Sequence, residues 1–446
     1  MTEPLFLLRH SRVRRIKIRT VAIHPIPHCG TGTPGQADAC NVTFLDQIAR
    51  RACRYFWEQA DPHTGLVRDR ARLDRRPDNA HHRDVASIAA TGFGLTGLAI
   101  AADRGWLPVQ AARQRARRTL RFLLHHAPQE QGWFYHFLNL HTGRRAWQSE
   151  VSSIDTAILM AGVLTVGEAW DDRELRQLAA ALYRRMNFPW MLAGDHYLLS
   201  HGWTPEKGFI PYRWNNYSEA SILYFLAIGS PSFPIPAGAW YAWKRSWVNY
   251  AGFRYIAGAA PLFIHQYSQA WMDLRGRRET MGDRIDYFEN SQIATRAQRM
   301  FCMRLHARFR DYGPRAWGLT ASESAHGYVA WGGPPVDHHP LQPFPDGTLV
   351  PCAPAGSLMF LPRECLECLE NLYRKYGRET GIWGVYGFCD AFNPLTGWRS
   401  PHVLGIDQGI SLLSAANAGD GMVWRWFMRQ DTMQNALNRT GLNSRV

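Results

Sequence analysis

The residues with the clearest chemical capacity are carboxylates set among aromatic rings. Glu150 follows Trp147 closely, Glu219 closes a run holding Tyr212, Trp214 and Tyr217, and Asp407 comes shortly after Trp398. Cleaving a glycosidic bond requires such a grouping. One carboxyl is kept protonated by apolar surroundings or a nearby negative charge and acts as general acid; the other is ionised, to activate water or attack directly. The apolar face of a sugar stacks on rings while its hydroxyls need polar partners. Eighteen tryptophans in 446 residues suit such a cleft as well as a large core. Each carboxylate also has a structural explanation, because Asp and Glu are favoured near helix N-termini as caps and by the macrodipole, at about 0.3–1 kcal/mol. The same field lowers a carboxyl pKa, so a residue serving as acid must be desolvated or paired closely enough to overcome it.

The elements that must position these groups are mainly helical. From Thr43 onward apolar residues recur at helical spacing in segments separated by Gly, Pro and Asn. The pattern predicts helices over 43–60, 85–103, 108–126, 152–169, 172–187, 217–229, 236–248, 262–275, 286–306, 362–376, 407–418 and 421–429. The second, fourth and sixth are apolar all round, which marks buried helices, whereas QRARRTLRFLL and DRELRQLAAALYRR are amphipathic. Inner and outer helices alternating in a double ring follow from that order. Asp84, Glu150, Asp155, Glu219 and Asp407 then collect at one rim, where connections enter the inner helices. No linker divides the chain, so one domain over 41–432 is expected, with a basic, poorly structured tail over 1–40 and a short tail over 433–446. The Pro-rich insert 332–347 reads as a surface loop able to overhang a site.

Composition removes other classes. At 46% hydrophobic and 13% aromatic the chain is not disordered, and no run approaches the roughly 18 apolar residues of a membrane span. The net charge of +14 is almost all arginine, lysine occurring only at 17, 207, 244 and 375. It is spread without the stripe a nucleic-acid groove needs, and Arg113–Arg121 reads as a solvated helix face. Cys365 and Cys368 form a C-x-x-C without a second pair, hence two small apolar positions on a helix rather than a zinc or redox site. His81, His82, His338 and His339 are adjacent pairs, which rarely face one metal. No G-x-S-x-G elbow supports a serine hydrolase, and TGFGLTG lies inside an apolar helix with no preceding strand, favouring close packing over a phosphate loop.

The succession YFWEQADPHTGLVRDR, DVASIAATGFGLTGLAIAADRGW, GWFYHFLNLHTGRRAWQSEVSSIDTAILMAGVL, GWTPEKGFIPYRWNNYSEASILYFLAIGSPSFPIP, PLFIHQYSQAWMDLRGRR, DYFENSQIATRAQR, WGLTASES, GVYGFCDAFNP and LGIDQG covers roughly residues 44–430 in order. It resembles the glucoamylase-like proteins of glycoside hydrolase family 144. The resemblance implies an all-α (α/α)6 barrel with long rim loops. It further implies endo-hydrolysis of β-1,2-glucan to short sophoro-oligosaccharides with inversion, and neither a metal nor an organic cofactor. Related domains of cyclic β-1,2-glucan synthases act as retaining transglycosylases, which is the alternative; another β-glucan substrate and a non-catalytic glycan-binding module are further ones.

Carried over by motif, the glutamate of Y-[NS]-E-A falls on Glu219, that of S-E-V-S-[ST]-I-D on Glu150, and the aspartate of G-I-D-Q-G on Asp407. The resemblance makes Glu219 the general acid and Asp407 the base. Glu150 then contacts the sugar beside the scissile bond or, in a retaining variant, pairs with Glu219. Sugar-hydroxyl partners are sought among Arg213, His265, Gln266, Asp273, Arg275, Asn290, Thr320 and Asp390, although Asp273 and Arg275 could simply pair with each other and Asn290 could cap a helix. Trp147, Tyr212, Trp214, Tyr217, Trp317 and Tyr386 are ring candidates, each also explicable as core. Asn215, where relatives carry Asp, and the 332–347 insert depart from the pattern and bear on subsite length. The expected partner is a β-glucan chain or oligosaccharide, with no nucleic acid and no membrane span; a monomer is expected. Family analogy favours a periplasmic or exported location, while the basic N-terminus is followed by no hydrophobic run of signal-peptide length.

Overall fold

The computed structural model of the protein describes residues 37–334 and 343–442. Most of the expected tail 1–40, His338 and His339, the middle of the 332–347 insert, and residues 443–446 therefore lie outside the described residues. The helices are α1 (Ala37–Glu58), α2 (Ile88–Asp103), α3 (Val109–His125), α4 (Ser153–Ala169) and α5 (Arg173–Arg185). Next come α6 (Phe188–Met191), α7 (Ser221–Gly229), α8 (Ala239–Ala242), α9 (Phe263–Gln266) and α10 (Tyr287–Arg304). The last are α11 (Cys352–Gly356), α12 (Pro362–Tyr376), α13 (Gly405–Asp420), α14 (Met422–Met428) and α15 (Asp431–Arg439). None of the described helices is long and apolar enough to cross a membrane.

Patterning sorts these helices as expected. α2, α4, α7 and α13 are buried on nearly every face, whereas α3, α5, α12 and α15 bury one stripe each. The buried set is in mutual contact: α2 on α4, α4 on α7, α7 on the 3-10 turn Ser268–Ala270 after α9, α9 on α11, α11 on α13, and α13 back on α2. The amphipathic helices lie outside, α3 against α2 and α5, α5 against α4, α12 against α11, α15 against α7, and α1 against both α2 and α13. The glycines of TGFGLTG do pack closely, since a Cβ on Gly162 of α4 would lie 2.0 Å from the Gly92 carbonyl of α2. The basic face of α3 is paired, Arg113 and Arg117 reaching Asp172 at 2.8 and 2.5 Å.

Short antiparallel strands tie the connections together at the N-terminal ends of the inner helices. Val85–Ser87 pairs with Phe137–Asn139 just before α2, Val151–Ser152 with Gly202–Thr204 just before α4, and His402–Leu404 with Arg70–Arg72 just before α13. Ser87 and Ser152 then cap α2 and α4 by accepting the amides of Ala90 and Asp155.

Four expectations need correction. The helix expected over 236–248 is only α8, followed by a hairpin pairing Trp247–Tyr250 with Phe253–Ile256. Its turn residues Ala251 and Gly252 both have positive φ, 52° and 85°, the two-residue geometry that matches strand twist. The helix over 262–275 stops early: α9 ends at Gln266 and a 3-10 turn follows at Ser268–Ala270, with the Ser268 and Gln269 side chains bonded to Ile222 N–H and the Tyr287 carbonyl. α7 begins at Ser221, leaving Glu219 outside it. The segment from 433 is no tail: α15 buries Met433, Ala436 and Leu437.

Candidate active site

Glu219 sits on the connection into α7. Capping does not explain it: α7 has no side-chain cap, and Ser218 Oγ takes the nearby Ala220 amide instead. Ser268 Oγ donates to the Glu219 carbonyl at 2.5 Å and accepts Ile222 N–H at 2.8 Å, clamping the turn. The Glu219 carboxyl itself has no ion pair or side-chain hydrogen bond among the described residues. Burial raises its pKa to about 7, with the charge of Asp155 adding in the same direction.

Asp407 lies in the first turn of α13, again without capping, and is buried beside Asp390. Burial raises the Asp407 pKa to about 6, and the neighbouring Asp390 and Cys352 side chains hold it from going further. Asp390 is pushed well above the carboxylate range, first by burial and then by the charge of Asp407. Asp390 Oδ2 accepts the Glu323 amide at 2.6 Å. Burial, and then the charges of Asp407 and Glu219 among others, push the buried Tyr267 hydroxyl well above the usual phenol range.

Glu150 precedes α4 and accepts or shares a proton with His136 Nδ1 at 3.0 Å, while His136 Nε2 lies 3.5 Å from Asp155. Burial would lower the His136 pKa, but Asp155 and Glu150 raise it to about 9. Glu150 in turn is lowered, His136 outweighing burial. Asp155 also accepts from Ser152 Oγ at 2.6 Å, a structural contact at the start of α4. The ligand atoms of His136, Glu150 and Asp155 lie within 4.8 Å of one another and could hold a cation; a charged imidazole satisfies both carboxylates equally well.

A second cluster borders Asp390. Glu323, on the hairpin Ala321–Ser324/Gly327–Ala330, takes hydrogen bonds from Arg70 at 2.6 Å and Ser400 at 2.5 Å and lies 3.0 Å from His402 Nδ1. Burial raises its pKa, but His402, Ser400 and Arg70 win and hold it at about 2. Arg70 also pairs with Asp69 at 2.8 Å. His136, Glu323, Arg70, His402 and Tyr267 were not found by sequence reasoning. All but His402 lie inside the quoted motifs, but nothing in chain order pairs Arg70 with Glu323, 253 residues away, or His402 with Glu323.

Of the expected sugar contacts, Trp147 and Tyr212 are exposed, at 37% and 70%. Trp147 has φ of 54° and stacks on His81, 4.9 Å between centroids. Trp214 is partly buried, stacks on His201 at 3.9 Å and donates to Ser153 Oγ. His265 and Tyr217 are buried together, 3.2 Å apart, and burial lowers the imidazole pKa to about 3. The remaining candidates are engaged in structure. Arg213 donates to the carbonyls of Leu192, Leu198 and Ala193, Gln266 to Ala353 and Ser357, and Asn290 bonds both backbone groups of Ile256. Thr320 accepts the Phe263 amide, Trp317 is fully buried, and the Tyr386 hydroxyl is held by Glu58 and Gln59. Asp273 and Arg275 pair with each other at 2.8 Å. Cys365 and Cys368 are buried positions of α12.

A helical fold carrying desolvated carboxyls at the N-terminal ends of its inner helices is what the chain presents for comparison with known proteins. Residues 211–431 match the family model Glycoamylase, described as "Putative glucoamylase". The chain is 25% identical over 435 residues to an exo β-1,2-glucooligosaccharide sophorohydrolase (non-reducing end) of Parabacteroides distasonis, covering 89% of this chain and 57% of that protein. It thus spans little more than half the length of that curated relative. Among solved structures, the endo-β-1,2-glucanase of Chitinophaga pinensis, in complex with sophorotriose and glucose, superposes with a TM-score of 0.81 at 26% identity. The match covers 91% of this chain and 99% of that one. A β-1,2-glucanase from Parabacteroides distasonis gives 0.81 at 25% identity, over 90% of this chain and 60% of that one. The resemblance to glycoside hydrolase family 144 is thus borne out, with residues 211–431 carrying a glucoamylase-like domain.

Proposed function

We propose that the protein is a glycoside hydrolase that cleaves β-1,2-glucan to short sophoro-oligosaccharides, acting within the chain and with inversion, on an (α/α)6 barrel. The closed succession of helix contacts supports the barrel. The observation that carries the chemistry is the Glu219 carboxyl, which has no ion pair or side-chain hydrogen bond among the described residues and is held by desolvation near pH 7, beside a more acidic Asp407. Glu219 protonates the glycosidic oxygen as the bond breaks, and Asp407 removes a proton from the water that attacks the opposite face of the sugar. Glu150, fixed by His136, presents an ionised oxygen to a hydroxyl of the sugar at the scissile bond, and Trp147 and Tyr212 offer rings to flanking units.

The test is to incubate purified protein with linear β-1,2-glucan and follow product size by chromatography and anomeric form by early proton NMR. A ladder of short products born as the α-anomer is expected, and Glu219→Gln should lower kcat by about 10²- to 10⁴-fold with the fold intact. Release of sophorose alone would change the mode to exo. Retained β-products would shift the pair to Glu150 and Glu219 and the activity to transglycosylation. Binding without turnover would leave a glycan-binding module.

A further inference from the structure

We infer that Asp390 is a positioning residue: it stays a neutral carboxylic acid whose O–H donates to the Asp407 carboxylate, fixing the rotamer of the proposed base. This rests on the hydrolase reading for its role, not for its geometry.

The two side chains are almost fully buried, at 2% and 4% exposure, and the Asp390 amide donates to the His402 carbonyl at 2.9 Å, on the strand that leads directly into the helix of Asp407, so the two carboxyls are neighbours and each charge acts on the other. Asp390 Oδ1 and Asp407 Oδ2 are buried and find no donor among the described residues. Two carboxylates so placed cannot both ionise without a large Coulombic and desolvation cost, and one retained proton turns the repulsion into a charge-assisted hydrogen bond. The surroundings decide which oxygen keeps it. Asp390 faces Glu323 from the adjoining hairpin and receives only that residue's amide on Oδ2, with Cys389 beside it. Asp407 additionally has the Cys352 thiol beside it, which lowers its pKa, with Asp69, Tyr267 and Tyr328 around it. The better-solvated charge is therefore on Asp407. Nearby cationic charge does not remove the need for the proton, because Arg70 is shared between Asp69 and Glu323, and His402 between Glu323 and Asp78.

The experiment compares wild type, Asp390→Asn and Asp390→Ala. An amide still donates to Asp407, so Asp390→Asn should keep kcat within about fivefold. Asp390→Ala removes the donor, and kcat should fall about 10- to 100-fold, with the acidic limb of the kcat profile moving up by about one to two pH units and KM nearly unchanged. A rise in KM for both variants with an unmoved acidic limb would show Asp390 to contact sugar and overturn the inference. Independently of turnover, infrared difference spectra at neutral pH should show a buried protonated-carboxyl C=O stretch that disappears in Asp390→Asn and persists in Glu219→Gln. Turnover without that band removes the inference and leaves the hydrolase standing. The band without turnover on any β-glucan keeps the shared proton and overturns the hydrolase reading.

Discussion

A carboxyl group acts as acid or base according to how its surroundings treat its charge. Glu219 is raised to about 7 by desolvation and Asp407 to about 6, so the pair has its working protonation only in a narrow window. Asp407 must be ionised, and activity is lost as pH falls through about 6; Glu219 must be protonated, and activity is lost as pH rises through about 7. A bell-shaped kcat/KM profile with these limbs is expected, and a flat profile to well above neutrality would remove Glu219 as acid. The same shift carries a stability consequence. An acid whose folded pKa is raised destabilises the fold as pH climbs from the unfolded value to the folded one. Glu219→Gln should therefore melt a few degrees above wild type at about pH 8 and alike at about pH 4. Calorimetry at the two pH values checks this.

Helices here are positioned by how closely they can approach. α2 and α4 meet backbone to backbone at Gly92 and Gly162, which leaves no room for a methyl group on either side. α2 and α4 start from strands that also hold His136's neighbour Phe137 and lead from Glu150. Gly162→Ala must push the helices apart, costing about 1–3 kcal/mol or more through overpacking. The displaced rim should lower kcat as well as stability. Chemical denaturation and turnover of this variant test the link; a stable, fully active Gly162→Ala protein would show the contact to be loose. The hairpin at Trp247–Ile256 illustrates the opposite balance, where a positive-φ Ala-Gly turn outcompetes a helical apolar pattern.

At the scale of the whole molecule, the C-terminal segment closes the helix assembly. α15 covers α7, Arg439 donates to the carbonyls of Ile228 and Ile235, and Tyr241 holds Thr440 at 2.7 Å. Met433, Ala436, Leu437 and Leu442 are buried there; the Met and the two Leu side chains are worth about 1.5–3 kcal/mol each on folding, comparable in sum to a domain's net stability. Deleting residues 430–446 should yield protein that is insoluble or lacks a cooperative melt by circular dichroism. An unchanged Tm would make the segment an appendage.

The helical class, the inner and outer sorting and the three acidic positions were legible in the sequence. Each depends on local periodicity or on a motif a few residues long, which chain order preserves. Glu219, Asp407 and Glu150 could be proposed on those grounds, and the Asp273–Arg275 pair could be anticipated. What Arg213, Gln266 and Asn290 do was not, because a polar side chain near a motif serves the sugar or the backbone according to which atoms come within three ångströms. The Asp390–Asp407 pair, the His136 link from Glu150 to Asp155, and the Glu323 cluster joining residues 70, 323 and 402 exist only after folding. Hydrogen bonding and desolvation depend on distance in space, and the closing of the helix assembly brings those separated segments to one rim.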